Sequence, residues 1–180
     1  LVSDLTKKSG SDLVKFTDQI QATSDTFGTD FKDNLMAVNT LANEFGISYE
    51  EALEKVNQGN IIGANSGGDM LELIKEYSTQ FKRAGLNADQ FIKAIDINVE
   101  KGIFSDKGLD LVKEATLKLG EMPKATKDAI DAIGLSSAQM QADIESGNST
   151  FFQSMQEISN KLATLNPQSK EVGQVLADVF

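Results

Sequence analysis

The sequence predicts an all-α fold, an irregular multi-helix bundle of about ten short-to-medium helices. Apolar residues recur at steps of three, four or seven along almost the whole chain, which places them on one face of a helix. No stretch alternates apolar and polar residues for long enough to predict a β-strand. Gly-containing corner sequences follow several of these apolar segments, and they are typical of one helix ending and the next beginning.

The helices follow in order from the apolar pattern. The first segment extends from Leu13 to Phe45, and Gly28-Thr29-Asp30 divides it, because Gly can end a helix in the left-handed conformation and Thr can cap the next. Pro123 and Asn166-Pro167 predict two later helix starts, with Pro167 at the first helical position. The other helices are predicted from the apolar sets Ala52/Leu53/Val56, Met70/Leu71/Ile74/Tyr77/Phe81, Phe91/Ile92/Ile95/Val99, Leu109/Val112/Leu117/Leu119, Ala129/Ile130/Ile133, Met140/Ile144, Phe151/Phe152/Met155/Ile158/Leu162/Leu165 and Val172/Val175/Leu176/Val179/Phe180.

Three corners share one sequence form: Gly, then Ile or Leu, then Ser or Asn, two further residues, and Glu or Gln. We expect the Gly to end one helix, the Ser or Asn to cap the next, and the Glu or Gln to complete a capping box. The spacing of the corners is close to that of HEAT or armadillo repeats but irregular, which favours a bundle over a solenoid. The residues concerned are Gly46, Ser48 and Glu51; Gly85, Asn87 and Gln90; and Gly134, Ser136 and Gln139.

The pattern divides the chain into three parts. Residues 1–58 form the N-terminal helices, residues 59–68 are a Gly/Asn-rich flexible loop, and residues 69–180 form a second helical region. Residues 1–58 and 69–180 either pack as one compact domain or meet at a boundary in the loop. The chain begins with Leu1 and ends at Phe180 within an apolar pattern, so we expect it to be a piece of a longer protein.

Composition excludes several classes of function. The chain has no Cys and no His, so any catalysis would depend on carboxylates, Lys, Tyr or hydroxyl groups. It has 27 acidic and 17 basic residues, a formal charge of −10 and a single arginine, which argues against nucleic-acid binding. No apolar run approaches the roughly 20 residues that a bilayer span needs. We therefore expect this segment to make no membrane contact.

Candidate ligand-binding loops fail on their spacing. The glycine-rich residues 63–68 are not followed by Gly-Lys-Ser/Thr, so they do not predict a phosphate loop. Residues 96–102 begin like a calcium loop, but the glycine comes at the seventh place and Lys107 occupies the twelfth. We predict no metal and no cofactor.

The paired carboxylates Glu50/Glu51 and Asp128/Asp131 lie near predicted helix starts, where acidic residues stabilise the helix dipole. We therefore predict no catalytic residue. Adjacent positions on a helix point about 100° apart, which makes Phe151 and Phe152 a candidate interface. The other aromatic residues with helical spacing are predicted to lie in the core: Phe27, Phe31, Phe45, Phe81, Phe91 and Phe104.

The segments around these corners resemble the tail tape measure proteins of tailed bacteriophages and prophages. Their order and spacing carry the resemblance, which covers about residues 45–180 and does not extend to residues 1–44. The matching segments are DMLELIKEY at 69–77 with QF at 80–81, GLNADQF at 85–91, GIFSD at 102–106, LVKEA at 111–115, AIGLS at 132–136 and LADVF at 176–180.

The resemblance implies a structural role in tail assembly and tail-length determination, without catalysis. It implies contacts with tail tube and tail tip or baseplate proteins and with tail assembly chaperones, and it leaves self-association open. It also implies a location in the lumen of the virion tail tube, after assembly in the bacterial cytoplasm. The alternative from the residues alone is a helical adaptor, or α-solenoid-like scaffold, that binds a protein partner.

Overall fold

The computed structural model describes residues 1–103 and 106–180. These residues form eleven α-helices and no β-strand, which confirms the predicted all-α fold. Phe104, predicted to lie in the core, and Ser105 lie outside the described residues. The helices are α1 (Val2–Thr6), α2 (Gly10–Phe27), α3 (Phe31–Phe45), α4 (Tyr49–Ile62), α5 (Met70–Arg83), α6 (Ala88–Glu100), α7 (Lys107–Glu121), α8 (Lys124–Ala132), α9 (Ser137–Ser146), α10 (Phe151–Leu162) and α11 (Lys170–Asp178).

The break between α2 and α3 falls where the sequence predicts it, but its cap is a different residue. Gly28 ends α2 with φ of 67°. The carboxylate of Asp30 then caps α3 by accepting hydrogen bonds from the backbone N–H groups of Lys32 and Asp33. Thr29 is not the cap, since its hydroxyl accepts a hydrogen bond from the Asn34 side chain. A carboxylate both bonds to the free N–H groups and favours the helix dipole, so Asp30 is the stronger cap.

The predicted start of the last helix at Asn166-Pro167 was wrong by a few residues. Asn166 instead accepts a hydrogen bond from the backbone of Gln168, which closes a turn before the helix. Ser169 caps α11 by accepting from the N–H of Val172. Pro123 precedes the first residue of α8 and lies at its N-cap position.

The glycine-rich segment 59–68 begins inside a helix. Gly59–Ile62 complete α4, and Gly63 ends it with φ of 103°. Gly59 is buried, and a Cβ atom there would come within 2.5 Å of the Met70 sulfur, so its lack of a side chain permits close packing. Residues 63–68 form turns. The role of this segment as a subdomain boundary stays a prediction.

The chain forms two compact units. Unit 1 comprises Leu1–Lys82 and Asn87–Leu109. In it, α3 packs against α2 and α4, and α4 also packs against α6. The ring of Phe91 lies 4.6 Å from that of Phe81 and 6.1 Å from that of Phe45. Phe81 and Phe91 are almost fully buried, and each such ring contributes about 1.5–3 kcal/mol to stability.

Lysine side chains join helices within unit 1. Lys55 of α4 pairs with Asp89 of α6 at 2.7 Å, and this bond raises the pKa of Lys55. Lys75 of α5 pairs with Asp33 of α3 at 3.1 Å. Partial burial opposes the charge of Lys75, but its bonds to Glu72 and Asp33 prevail and raise its pKa. Because these pairs are partly exposed, each adds no more than about 1 kcal/mol to stability.

Unit 2 comprises Arg83–Leu86 and Asp110–Phe180. In it, α8 packs against α9 and α11. Thr126 joins α8 to α11, since its hydroxyl donates to the carbonyl of Asp178 at 2.6 Å. The core of unit 2 consists of Ala115, Leu119, Met122, Ala129, Ile130, Ile133, Met140, Met155, Ile158, Val175 and Val179.

Candidate functional site

The glycines of the three predicted corners lie at helix ends. Gly46, Gly85 and Gly134 all have positive φ, at 68°, 91° and 81°. After Gly46, the N–H of Ile47 donates to the carbonyl of Ala42. The same bond, from a residue to the fifth residue before it, follows Gly134 and joins Leu135 to Ile130. Both corners therefore end in Schellman-type turns.

The caps of the following helices differ from one another. Ser48 accepts from the N–H of Glu51, and Ser136 accepts from the N–H of Gln139. A complete capping box is present at the second corner, where Asn87 accepts from the N–H of Gln90 and the Gln90 side chain accepts from the N–H of Asn87. At the third corner the side-chain amide of Gln139 donates to Asp143 on its own helix, rather than completing a capping box with Ser136.

A second complete capping box starts α10, and the sequence analysis missed it. Thr150 accepts from the N–H of Gln153, and the Gln153 side chain accepts from the N–H of Thr150. The signal was present, because Thr and Gln are three residues apart and follow Gly147, which ends α9 with φ of 78°. The three predicted corners have an apolar residue directly after the glycine, whereas Asn148 follows Gly147.

The second corner packs against the start of α10 within unit 2. The N–H of Phe152 donates to the carbonyl of Ala84 at 2.9 Å. A Cβ atom at Gly85 would lie 2.5 Å from the Cβ of Thr150. Glycine is therefore required at position 85 for two reasons: the positive φ and the close approach to Thr150.

The two candidate interface residues occupy different environments. Phe151 is half-buried, the Arg83 guanidinium lies 5.8 Å from the centre of its ring, and its edge approaches Gly120. Phe152 is also half-buried and lines an open groove of about 370 Å³ between α7, α10 and α11. Leu111 and Leu176 on this groove are 44% and 54% exposed. The groove thus presents apolar side chains without a charged lining residue.

Of the four paired carboxylates considered for catalysis, Glu50, Asp128 and Asp131 are engaged in structural contacts, and Glu51 is exposed. Glu50 accepts a hydrogen bond from Lys8 at 2.6 Å, and this bond lowers its pKa. Asp128 pairs with Lys124 one turn away. Asp131 accepts from both the backbone N–H and the hydroxyl of Ser137, which fixes the start of α9.

The candidate calcium segment is helical where it begins. Asp96 lies in α6, is buried, and pairs with Lys93. Among the described residues, no group of three or more Asp and Glu side chains is arranged to hold a metal ion. In residues 1–103 and 106–180, no helix is both long and apolar enough to cross a bilayer.

The comparison with protein families decides the class of the chain. The model of the phage-related minor tail protein family matches residues 4–180. The chain belongs to this family. No curated protein and no solved structure matches it. The family match begins at residue 4, so residues 4–44, which lie outside the resemblance that covers about residues 45–180, belong to the same family region.

As a phage-related minor tail protein, the chain is a structural component of the virion tail. Its helix ends are defined by the glycines at the corners and by the capped starts of α4, α6, α9 and α10.

Proposed function

We propose that this chain is a segment of a tail tape measure protein that contributes to tail assembly and tail-length determination through contacts with other proteins. The observation that carries the proposal is the family match, which spans residues 4–180. The ordered resemblance between residues 45 and 180 supports the more specific assignment within that family.

The proposed location is the lumen of the tail tube, reached during assembly in the bacterial cytoplasm. The proposed partners are tail tube proteins, tail tip or baseplate proteins and tail assembly chaperones. The formal charge of −10 supports this location, because an acidic chain can share a lumen with DNA without binding it. The engagement of Glu50, Asp128 and Asp131 in ion pairs and caps supports a role without catalysis.

The corners bear on how such a segment would measure length. As one continuous helix, 180 residues would span about 270 Å. The glycines at the corners end the helices well before that length. We propose that the extended ruler lies in other parts of the full-length protein, or that this segment extends only on assembly.

Of the two predicted interface residues, Phe152 is the better candidate for a contact with a tail protein. Phe151 lies against Gly120 and near Arg83, whereas Phe152 opens onto the apolar groove of unit 2. We propose Phe152 as part of a contact surface and Phe151 as part of its support.

The function is tested in the phage or prophage that encodes the chain. The coding region for residues 1–180 is deleted in frame or duplicated in frame, and tail lengths are measured by negative-stain electron microscopy. We expect the deletion to reduce the number of complete tails. If the segment extends as helix on assembly, the deletion should also shorten the tails by up to about 270 Å, and the duplication should lengthen them. A wild-type copy supplied in trans is the control and restores normal length.

Tails of normal number and length after both changes would contradict a role in length determination. Mass spectrometry of purified tails tests the location separately. Peptides from residues 1–180 should be present in tails before DNA release. Their absence from complete tails would contradict the proposed place in the virion.

A further inference from the structure

An open groove of about 590 Å³ separates α2 from α4 within unit 1. Each helix contributes five residues to it, and most of these side chains are exposed or half-buried. The lining residues are Gln19, Ala22, Thr23, Thr26 and Phe27 from α2, and Glu50, Leu53, Glu54, Asn57 and Ile61 from α4.

The floor of the groove is held in place by contacts between its two helices. The hydroxyl of Thr23 donates to the side-chain oxygen of Asn57 at 2.8 Å, and Thr23 is buried. Leu53 beside them is 4% exposed. Because this floor is formed in the free chain, a ligand would bind with little reorganisation cost.

One end of the groove is apolar. Ile61 is 73% exposed, more than any other large hydrophobic residue recorded as exposed in the described chain. Phe27 lies half-buried on the opposite helix and lines the same groove. A single exposed Ile needs no explanation, but an Ile and a Phe on a preformed groove make a surface that excludes water when covered.

The charge along the groove is negative and only partly compensated. Glu50 and Glu54 are its charged lining residues, and neither Lys nor Arg lines it. Glu50 is paired with Lys8 at 2.6 Å, and the charge of Lys15 also acts on it. Glu54 is exposed and forms no ion pair in the part of the chain that the structure describes. The attraction for a cation is therefore centred on Glu54.

We propose that this groove binds an amphipathic helix of a partner protein, which presents an apolar residue to Ile61 and Phe27 and a lysine or arginine to Glu54. The charge complementarity at Glu54 and the apolar end at Ile61 together define this occupant. The inference goes beyond the tape measure role and does not depend on it.

The spacing on α4 specifies the partner further. Ile61 and Glu54 are seven residues apart on one helix, which is about 10.5 Å along its axis. A partner helix that lies alongside α4 would therefore carry its apolar and basic residues seven positions apart, on the same face. This rule holds for either direction of the partner helix.

The test uses a synthetic peptide as the probe. A fluorescently labelled helical peptide of about 18 residues carries Leu and Arg seven positions apart, on the face that would meet the groove. It is titrated with the whole chain, and binding is measured by fluorescence anisotropy. We expect saturable binding to one site, and at least a tenfold loss of affinity for Glu54→Arg and for Ile61→Ser.

Matched variants separate this site from general attraction to an acidic protein. Glu76→Arg makes the same charge change on an exposed position of α5, and Val14→Ser removes an apolar side chain that is 60% exposed on α2. Neither residue lines the groove, and both variants should bind the peptide as the native chain does. A peptide with Glu in place of Arg should bind poorly to the native chain and regain affinity for Glu54→Arg.

Three results would overturn the proposal. The first is the absence of saturable peptide binding. The second is an equal loss of affinity for Glu54→Arg and Glu76→Arg, which would indicate non-specific charge attraction. The third is a dimer of the chain in sedimentation experiments that Ile61→Ser abolishes, which would make a second copy the occupant. None of these three results bears on tail length, so this proposal and the tape measure proposal fail separately.

Discussion

The backbone N–H of Phe152 donates a hydrogen bond to the carbonyl of Ala84 at 2.9 Å. The first N–H groups of a helix have no partner within it, and here one of them is satisfied by a residue far away in the sequence. The bond places the corner at Gly85 directly against Thr150. A turn defined by local sequence is thus also a packing element of unit 2.

Gly85→Ala should lower the free energy of unfolding by about 3 kcal/mol, since the new Cβ would meet Thr150 and φ is positive. The control is Gly147→Ala, where φ is also positive but no atom lies within 4 Å of the added Cβ. That change should cost about 1 kcal/mol. Urea denaturation measures both, and equal losses would show that contact with Thr150 adds nothing.

Asn87→Ala should lower the free energy of unfolding by about 1 kcal/mol, because it removes the side-chain oxygen that caps α6. Asn87→Asp keeps an acceptor at the same place and should cost much less. Thermal unfolding followed by circular dichroism compares the two. If both variants lose the same stability, the capping bond is not the source of the effect.

Glu50→Gln should lower stability by less than about 1 kcal/mol at neutral pH, because the Lys8–Glu50 pair is exposed on the Glu50 side. The pKa of Glu50 is lowered in the folded chain by its bond to Lys8. The contribution of the charged pair is therefore present above the pKa of Glu50 in the unfolded chain, and it is lost as pH falls through the lowered folded pKa.

Denaturation at neutral and acidic pH, and at low and high salt, measures this difference between native chain and Glu50→Gln. The difference should shrink in acid and in high salt. Glu157→Gln, at an exposed position on α10, is the control and should show little difference at any pH. A Glu50→Gln effect that grows as pH falls would contradict the assigned direction of the pKa shift.

Arg83 and Phe151 should be energetically coupled by about 0.5–1 kcal/mol, since the guanidinium lies within cation–π distance of the ring. A double-mutant cycle with Arg83→Met and Phe151→Leu measures the coupling from the four free energies of unfolding. Arg83→Lys should keep part of it. Additive effects of the two substitutions would show that the contact contributes no stability.

The local parts of this structure follow from the sequence more reliably than the contacts between distant residues. The ends of α3 and α8 depend on bonds among a few consecutive residues, so Gly46 and Gly134 reveal them. The choice between Thr29 and Asp30 as a cap required comparing two good candidates one residue apart. The clash at Gly85 depends on Thr150, which no local pattern links to it.

The candidate surfaces were predicted least well. Adjacent aromatic residues indicated that Phe151 and Phe152 differ in environment, but only the packing of α7, α10 and α11 shows which ring opens onto a groove. The α2–α4 groove has no sequence signature. Its floor depends on the bond between Thr23 and Asn57, and its exposed end depends on the helical conformation of Gly59–Ile62, which composition alone suggests is a loop.

The corners also affect how such a chain can vary in evolution. The bonds that end α3 and begin α4 join residues between Ala42 and Glu51. They do not involve the far ends of either helix. Insertions or deletions of whole turns between two corners would therefore leave the corners intact, and a lineage can change the size of such a segment while preserving its turns.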